Sequence, residues 1–115
     1  MGLLDSMAAR VADGATVEFR PSGTSMAPLI HDRQRVEVAP VAADRIEVGD
    51  IVLARVAGTT YLRLVSAVDR ARGRVRIGNN RGRSNGWTAL TRVYGICVSV
   101  DGTEVPAARG KVRGA

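Results

Sequence analysis

The chain reads as an all-β domain, a folded sheet or partial barrel with one short N-terminal helix. Three observations carry this reading. About seven short runs of β-branched and apolar residues are separated by Gly, Asp and Asn turns. Only the first dozen residues repeat at helical spacing. Aromatic residues make up 3% of a chain that is 45% apolar, so the core must be built from Val, Ile, Leu and Ala. At 115 residues the chain forms one domain with a single modest core.

Leu3, Leu4, Met7 and Val11 lie at helical spacing, and Asp13-Gly14 ends that helix. Such a helix is too short to stand alone, so it packs on the body or on a partner. Ala15–Arg20 alternates as a strand does. Arg35–Val38 and Asp50–Val56 are strands bounded by turns. After the loop Ala57-Gly58-Thr59, Tyr61–Val68 returns as the second arm of a hairpin. Asp69–Gly73 turns into a strand at Arg74–Ile77, and Gly78–Gly86 reads as a polar loop ending at Trp87. Arg92–Val100 is a strand, and Asp101-Gly102 turns it toward Glu104-Val105. The expected organisation is a helix or arm over 1–14, a β domain over 15–106 and a frayed basic tail over 107–115.

Between the first two strands lies Pro21-Ser22-Gly23-Thr24-Ser25-Met26-Ala27-Pro28-Leu29-Ile30. Gly23 allows close backbone approach and Pro28 breaks any continuing element. A bend of this kind exposes Ser25 and aims N–H groups beside its hydroxyl, as an acyl-transfer nucleophile requires. On spacing alone the stretch reads rather as a plain Gly/Pro/Ser turn between strands. The wording, however, resembles the nucleophile box of the LexA/signal-peptidase superfamily of serine–lysine peptidases. The resemblance continues in order through Gln34–Val38, Ile46-Glu47-Val48-Gly49-Asp50-Ile51-Val52, Tyr61-Leu62-Arg63-Leu64-Val65, Ile77-Gly78-Asn79-Asn80 and Val93-Tyr94-Gly95-Ile96. It covers about residues 17–100 and implies the folded-sheet architecture of that superfamily.

The resemblance implies roles. Ser25 falls at the nucleophile position, with Gly23, Thr24 and Met26 in the oxyanion and nucleophile loop. Asn79, Asn80 and Ser84 fall in the supporting loop of the groove, and Arg63 occupies the general-base position. In that family a buried neutral lysine takes the serine's proton, because burial lowers a lysine pKa. A guanidinium stays protonated and cannot do this. Asn79 replaces an expected aspartate, and Asn85 another. Lys111, the only lysine, lies outside every matched stretch, and His31 follows Ser25 too closely to face it easily. No Ala-Gly autocleavage site precedes the box, and the twenty residues ahead of it leave no room for a helix-turn-helix domain.

Cys97, the only cysteine, excludes an intramolecular disulfide and reads as a buried thiol between Ile96 and Val98. His31 has no companion at ligand spacing, so no metal and no other cofactor is expected. No apolar run reaches the length of a membrane span and no signal peptide is visible, so a cytoplasmic protein without membrane contact is expected. Net charge is +6, almost all from arginine. Arg70, Arg72, Arg74 and Arg76 at period two would share one strand face, with Arg81 and Arg83 beyond. Three functions fit: a peptidase-like domain that binds an extended peptide or protein segment with little turnover, an active serine peptidase with an unusual base such as His31, and a basic nucleic-acid-binding module.

Overall fold

A computed structural model describes residues 2–23, 26–27 and 29–114. Helix α1 spans Leu3–Ala12. Eight strands follow among the described residues: β1 Val17–Phe19, β2 Val36–Pro40, β3 Ile51–Val56, β4 Thr59–Asp69, β5 Arg74–Gly78, β6 Ser84–Ala89, β7 Val93–Val100 and β8 Thr103–Glu104. They form one antiparallel sheet in the order β1-β2-β7-β3-β4-β5-β6, with β8 on β7. The all-β expectation with one N-terminal helix holds. β1 and β6 remain the two ends of the sheet, so it curls without closing into a barrel.

Both faces of the central strands are buried, and alternation sorts their side chains into two apolar layers. Ile51 and Leu53 of β3, Leu62 of β4, Val36 and Val38 of β2 and Cys97 of β7 face α1 and the Ser25 box. Val52, Ala54 and Val56 of β3, Val65 of β4, Val75 and Ile77 of β5 and Ile96 of β7 face the other way. Helix α1 seats Ala8 and Val11 on the first layer, and Val11 is fully buried. Burying a valine stabilises by about 1.5–3 kcal/mol, more than a ten-residue helix contributes by itself. Gly95 makes the seat: a Cβ there would stand 2.7 Å from Val11 Cγ1, Val38 Cγ1 and the Ala39 carbonyl oxygen. Asp5 fixes the helix start. It accepts the Gly2 N–H at 3.3 Å and the Thr60 hydroxyl of β4 at 2.6 Å.

The β3–β4 turn is the two-residue loop Ala57-Gly58, both at positive φ (49° and 84°), which matches the twist of a hairpin. The chain from 84 to 89, read from sequence as loop running into Trp87, is instead strand β6. Its residues gain a partner along β5, from Arg74 opposite Ala89 to Gly78 opposite Ser84. The Thr88 hydroxyl donates to the Arg55 carbonyl at 2.7 Å and draws β6 toward the end of β3.

Two further expectations are corrected. Arg70, Arg72, Arg74 and Arg76 do not share a face. Residues 70–73 form the β4–β5 turn: Arg70 donates to the carbonyls of Asp44 and Ile46, and Arg72 turns to Asp69. Only Arg74 and Arg76 stand on β5, opposite in facing to the buried Val75 and Ile77. The segment expected to fray from 107 is tied to the body. Pro106–Ala108 is a 3-10 turn, Val112 bridges Val41, and Arg113 donates its N–H to the Pro40 carbonyl at 2.8 Å. Lys111 Nζ reaches the carboxylate of Asp50, itself 1% exposed, at 2.8 and 3.0 Å. It also meets Glu47 at 3.0 Å. Burial pulls the Lys111 pKa down, but the hydrogen bonds from Asp50 and Glu47 outweigh it and hold it above the ordinary lysine value.

Candidate functional site

Strand β1 delivers the chain to the Ser25 box, and β2 takes it away. Ser25 and Thr24 lie outside the described residues, as does Pro28, so the site is built from their neighbours. The loop is closed at its neck. The Pro21 carbonyl accepts the Arg33 N–H at 2.8 Å, and the Arg33 carbonyl accepts a guanidinium N–H of Arg20 at 3.0 Å. Gly23, at φ 107°, donates its N–H to the Asp32 carboxylate at 2.7 Å. Beyond Ser25, Ile30 N–H returns to the Met26 carbonyl at 3.0 Å, and both side chains sink into the core. The box is thus anchored by two apolar residues on one side of Ser25 and by an aspartate-capped glycine on the other.

The turn after β5 meets the box directly. Asn80 Nδ2 donates to the Ala27 carbonyl at 3.0 Å, bringing the β5–β6 turn against the box. Asn79 uses its side-chain oxygen to accept the N–H groups of Arg81 and Arg83, both at 2.9 Å. That task needs a lone pair and no charge, so an amide performs it as well as a carboxylate. Gly78 has no substitute in this turn, because a Cβ there would overlap the Arg83 carbonyl. Ser84 is exposed and accepts the Gly86 N–H at 3.1 Å. Asn85 Oδ1 is buried without a partner among the described residues.

The decisive geometry is the parity of β4. Leu62 pairs with Leu53 and belongs to the layer that holds Met26 and Ile30. Arg63 pairs with Val52, on the opposite face, and its guanidinium lies 5.4 Å from the Tyr61 ring centre. One guanidinium nitrogen donates to the Leu62 carbonyl at 3.0 Å. Burial draws the Arg63 pKa below the usual guanidinium value, opposed by Tyr61. Both residues border a cavity of about 50 Å³ lined also by Leu4, Pro21, Ser22, Gly23, Met26 and Ile30. The side chain that β4 sends into the apolar layer under the box is nevertheless Leu62, one residue from the position expected. A wider groove of about 360 Å³ continues from it between the start of α1 and the β3–β4 turn. Leu4, Pro21 and Ser22 line both.

Sequence reasoning missed Leu62, and it missed Asp32 as the cap of Gly23. Leu62 was hidden because Tyr61–Val65 carries apolar residues on both faces of β4, and Asp32 had no local signal. His31 is exposed, and its N–H donates to Gln34 Oε1 at 2.7 Å. Lys111 is held by Asp50 and Glu47, and a lysine whose pKa is raised is the opposite of a base. Among the described residues no group of three or more His, Cys, Asp or Glu side chains is gathered to hold a metal, and no helix is long and apolar enough to cross a membrane. No family model, no curated protein and no solved structure matches the chain.

Proposed function

We propose that this chain is a serine-peptidase-like binding domain that holds an extended peptide or protein segment beside the Ser25 loop and turns it over slowly or not at all. The observation that carries the reading is Leu62. The side chain that β4 presents to the layer beneath the box cannot take a proton. A serine hydroxyl without a base is a weak nucleophile, and general-base help contributes about 10²–10⁴-fold. The small cavity beside Gly23 and Met26 suits a small side chain, and the groove leading from it suits an extended backbone.

The test is labelling with a serine-directed acylating probe across pH. The parent should label little faster than Ser25→Ala. Leu62→Lys places an amine in apolar surroundings that lower its pKa, so labelling should rise, and rise further as pH climbs through that pKa. Arg63→Lys, on the Tyr61 face, should give no comparable gain. A parent that labels at the rate of an active peptidase, and loses this in Ser25→Ala, refutes the proposal and leaves an enzyme with an unusual base. Binding is read separately: peptides with small side chains should shift the amides of Ser22, Gly23 and Thr60 at millimolar concentration.

A further inference from the structure

We infer that the β5–β6 hairpin is a binding site for single-stranded nucleic acid, with Trp87 as its stacking platform. Charge is the first ground. Residues 70–100 contain seven arginines and no carboxylate, which leaves ten basic and eleven acidic residues elsewhere. This segment therefore carries +7 and the rest −1, so the basic character of the protein is a local property of one hairpin and its flanks. An arginine-rich composition changes lysine to arginine everywhere; it does not gather the charge in one place.

Geometry is the second ground. Trp87, the only tryptophan, is 40% exposed on β6, one of the two edge strands. The guanidinium carbons of Arg74 and Arg76 lie 5.3 and 5.9 Å from its ring centre. Arg76 is the cross-strand partner of Trp87. Its Nε is held by the Ser66 hydroxyl at 2.9 Å, which leaves the outer guanidinium nitrogens for a ligand. Arg83 shares with Arg76, Ser66 and Asn79 the lining of an adjacent cavity of about 250 Å³. Arg74, Arg76 and Arg83 form no ion pair among the described residues, whereas Arg72 turns to Asp69 and Arg109 to Glu104.

An exposed indole ringed by unpaired guanidiniums fits a nucleotide: a base on the ring, phosphates on the arginines. Cation–π contacts at exposed sites are weak, so a base displaces a guanidinium from the ring without a large loss. A duplex hides the faces of its bases, and an acidic peptide offers charge without a π-face. Unpaired nucleotides use both halves of the site.

The experiment titrates the full chain with oligothymidylate of about 12 nucleotides, within the usual site size of roughly 4–16. Tryptophan emission comes from Trp87 alone and reports the site directly. Saturable quenching is expected. With three phosphates neutralised, log K should fall against log salt with a slope near −2, or about 20-fold between roughly 50 and 200 mM. Followed by anisotropy of labelled oligonucleotide, Trp87→Ala should weaken binding roughly 5- to 150-fold, and Trp87→Phe should recover most of the loss. Arg74→Gln should flatten the slope by about 0.7. Absence of quenching at about 1 mM oligonucleotide overturns the inference. So does equal affinity in Trp87→Ala, and so does equal binding of a duplex or of polyglutamate.

Discussion

Lys111→Met tests how the C-terminal segment is held. The substitution keeps the aliphatic stem and removes the ammonium, leaving the Asp50 carboxylate, 1% exposed, with only the Glu47 N–H at 2.8 Å. Breaking a buried pair from one side costs about 3–5 kcal/mol, because a charge stays behind without its partner. For a domain of 115 residues the unfolding entropy is about 0.24 kcal/mol per degree, so Tm should fall by about 12–20 °C. Thermal unfolding followed by circular dichroism measures this. The double variant Asp50→Asn/Lys111→Met should regain more than half of the loss, since the amide oxygen still accepts the Glu47 N–H and no charge is stranded. Glu47→Gln should matter little, because that carboxylate is 68% exposed. The pH dependence has a definite sign. The Lys111 pKa is raised in the fold, so its stabilisation is complete below the ordinary value of 10.5 and fades as pH rises through the folded value. Parent and Lys111→Met should therefore converge only in strong alkali. A Tm change under about 2 °C at neutral pH would refute the buried-pair account.

Cys97 is fully buried, and burial pushes its thiol pKa up to about 11. Its reaction with a thiol-specific disulfide at neutral pH should proceed only at the rate of opening, and should speed up in denaturant. Ala57 sits at φ 49°, where an alanine Cβ crowds the following carbonyl. Ala57→Gly should stabilise by about 0.5–1 kcal/mol in denaturant melts, and a loss would mean that the turn differs. Asn80→Ala removes the tie to the Ala27 carbonyl and should cost about 0.5–1.5 kcal/mol. Hydrogen exchange should quicken at Met26 and Ala27 before it does in β2.

The succession of elements along the polypeptide was legible where each carries its own pattern. α1, β2, β3, β4, β5 and β7 announce themselves through β-branched runs or helical spacing with turn residues between. β6 did not. Ser84-Asn85-Gly86-Trp87-Thr88-Ala89 has little strand propensity, and it is extended because β5 offers it a hydrogen-bonding edge. The docking of Lys111 was equally hidden, since its partner Asp50 is 61 residues away and looks in sequence like an ordinary turn aspartate. The parity of β4 failed for a different reason. Both of its faces are partly buried, so Tyr61-Leu62-Arg63-Leu64-Val65 carries no clean alternation to say which residue faces the box. The cluster of basic residues was visible, but its division between turn and strand depended on where β4 ended.

The position of β7 in the sheet sets the order in which the protein can be made. β3 to β6 are sequential neighbours and can pair in the order in which they are made, whereas β7 lies between β2 and β3 and can take that place only after all of them exist. Until residues 93–100 emerge, two apolar strand edges, one on β2 and one on β3, stand open with the gap between them unfilled. Non-local pairing of this kind is slow, and open edges are sticky during that interval. The most vulnerable interval in the making of this domain is thus the one between β6 and β7, and the strand carrying Cys97 and Gly95 ends it.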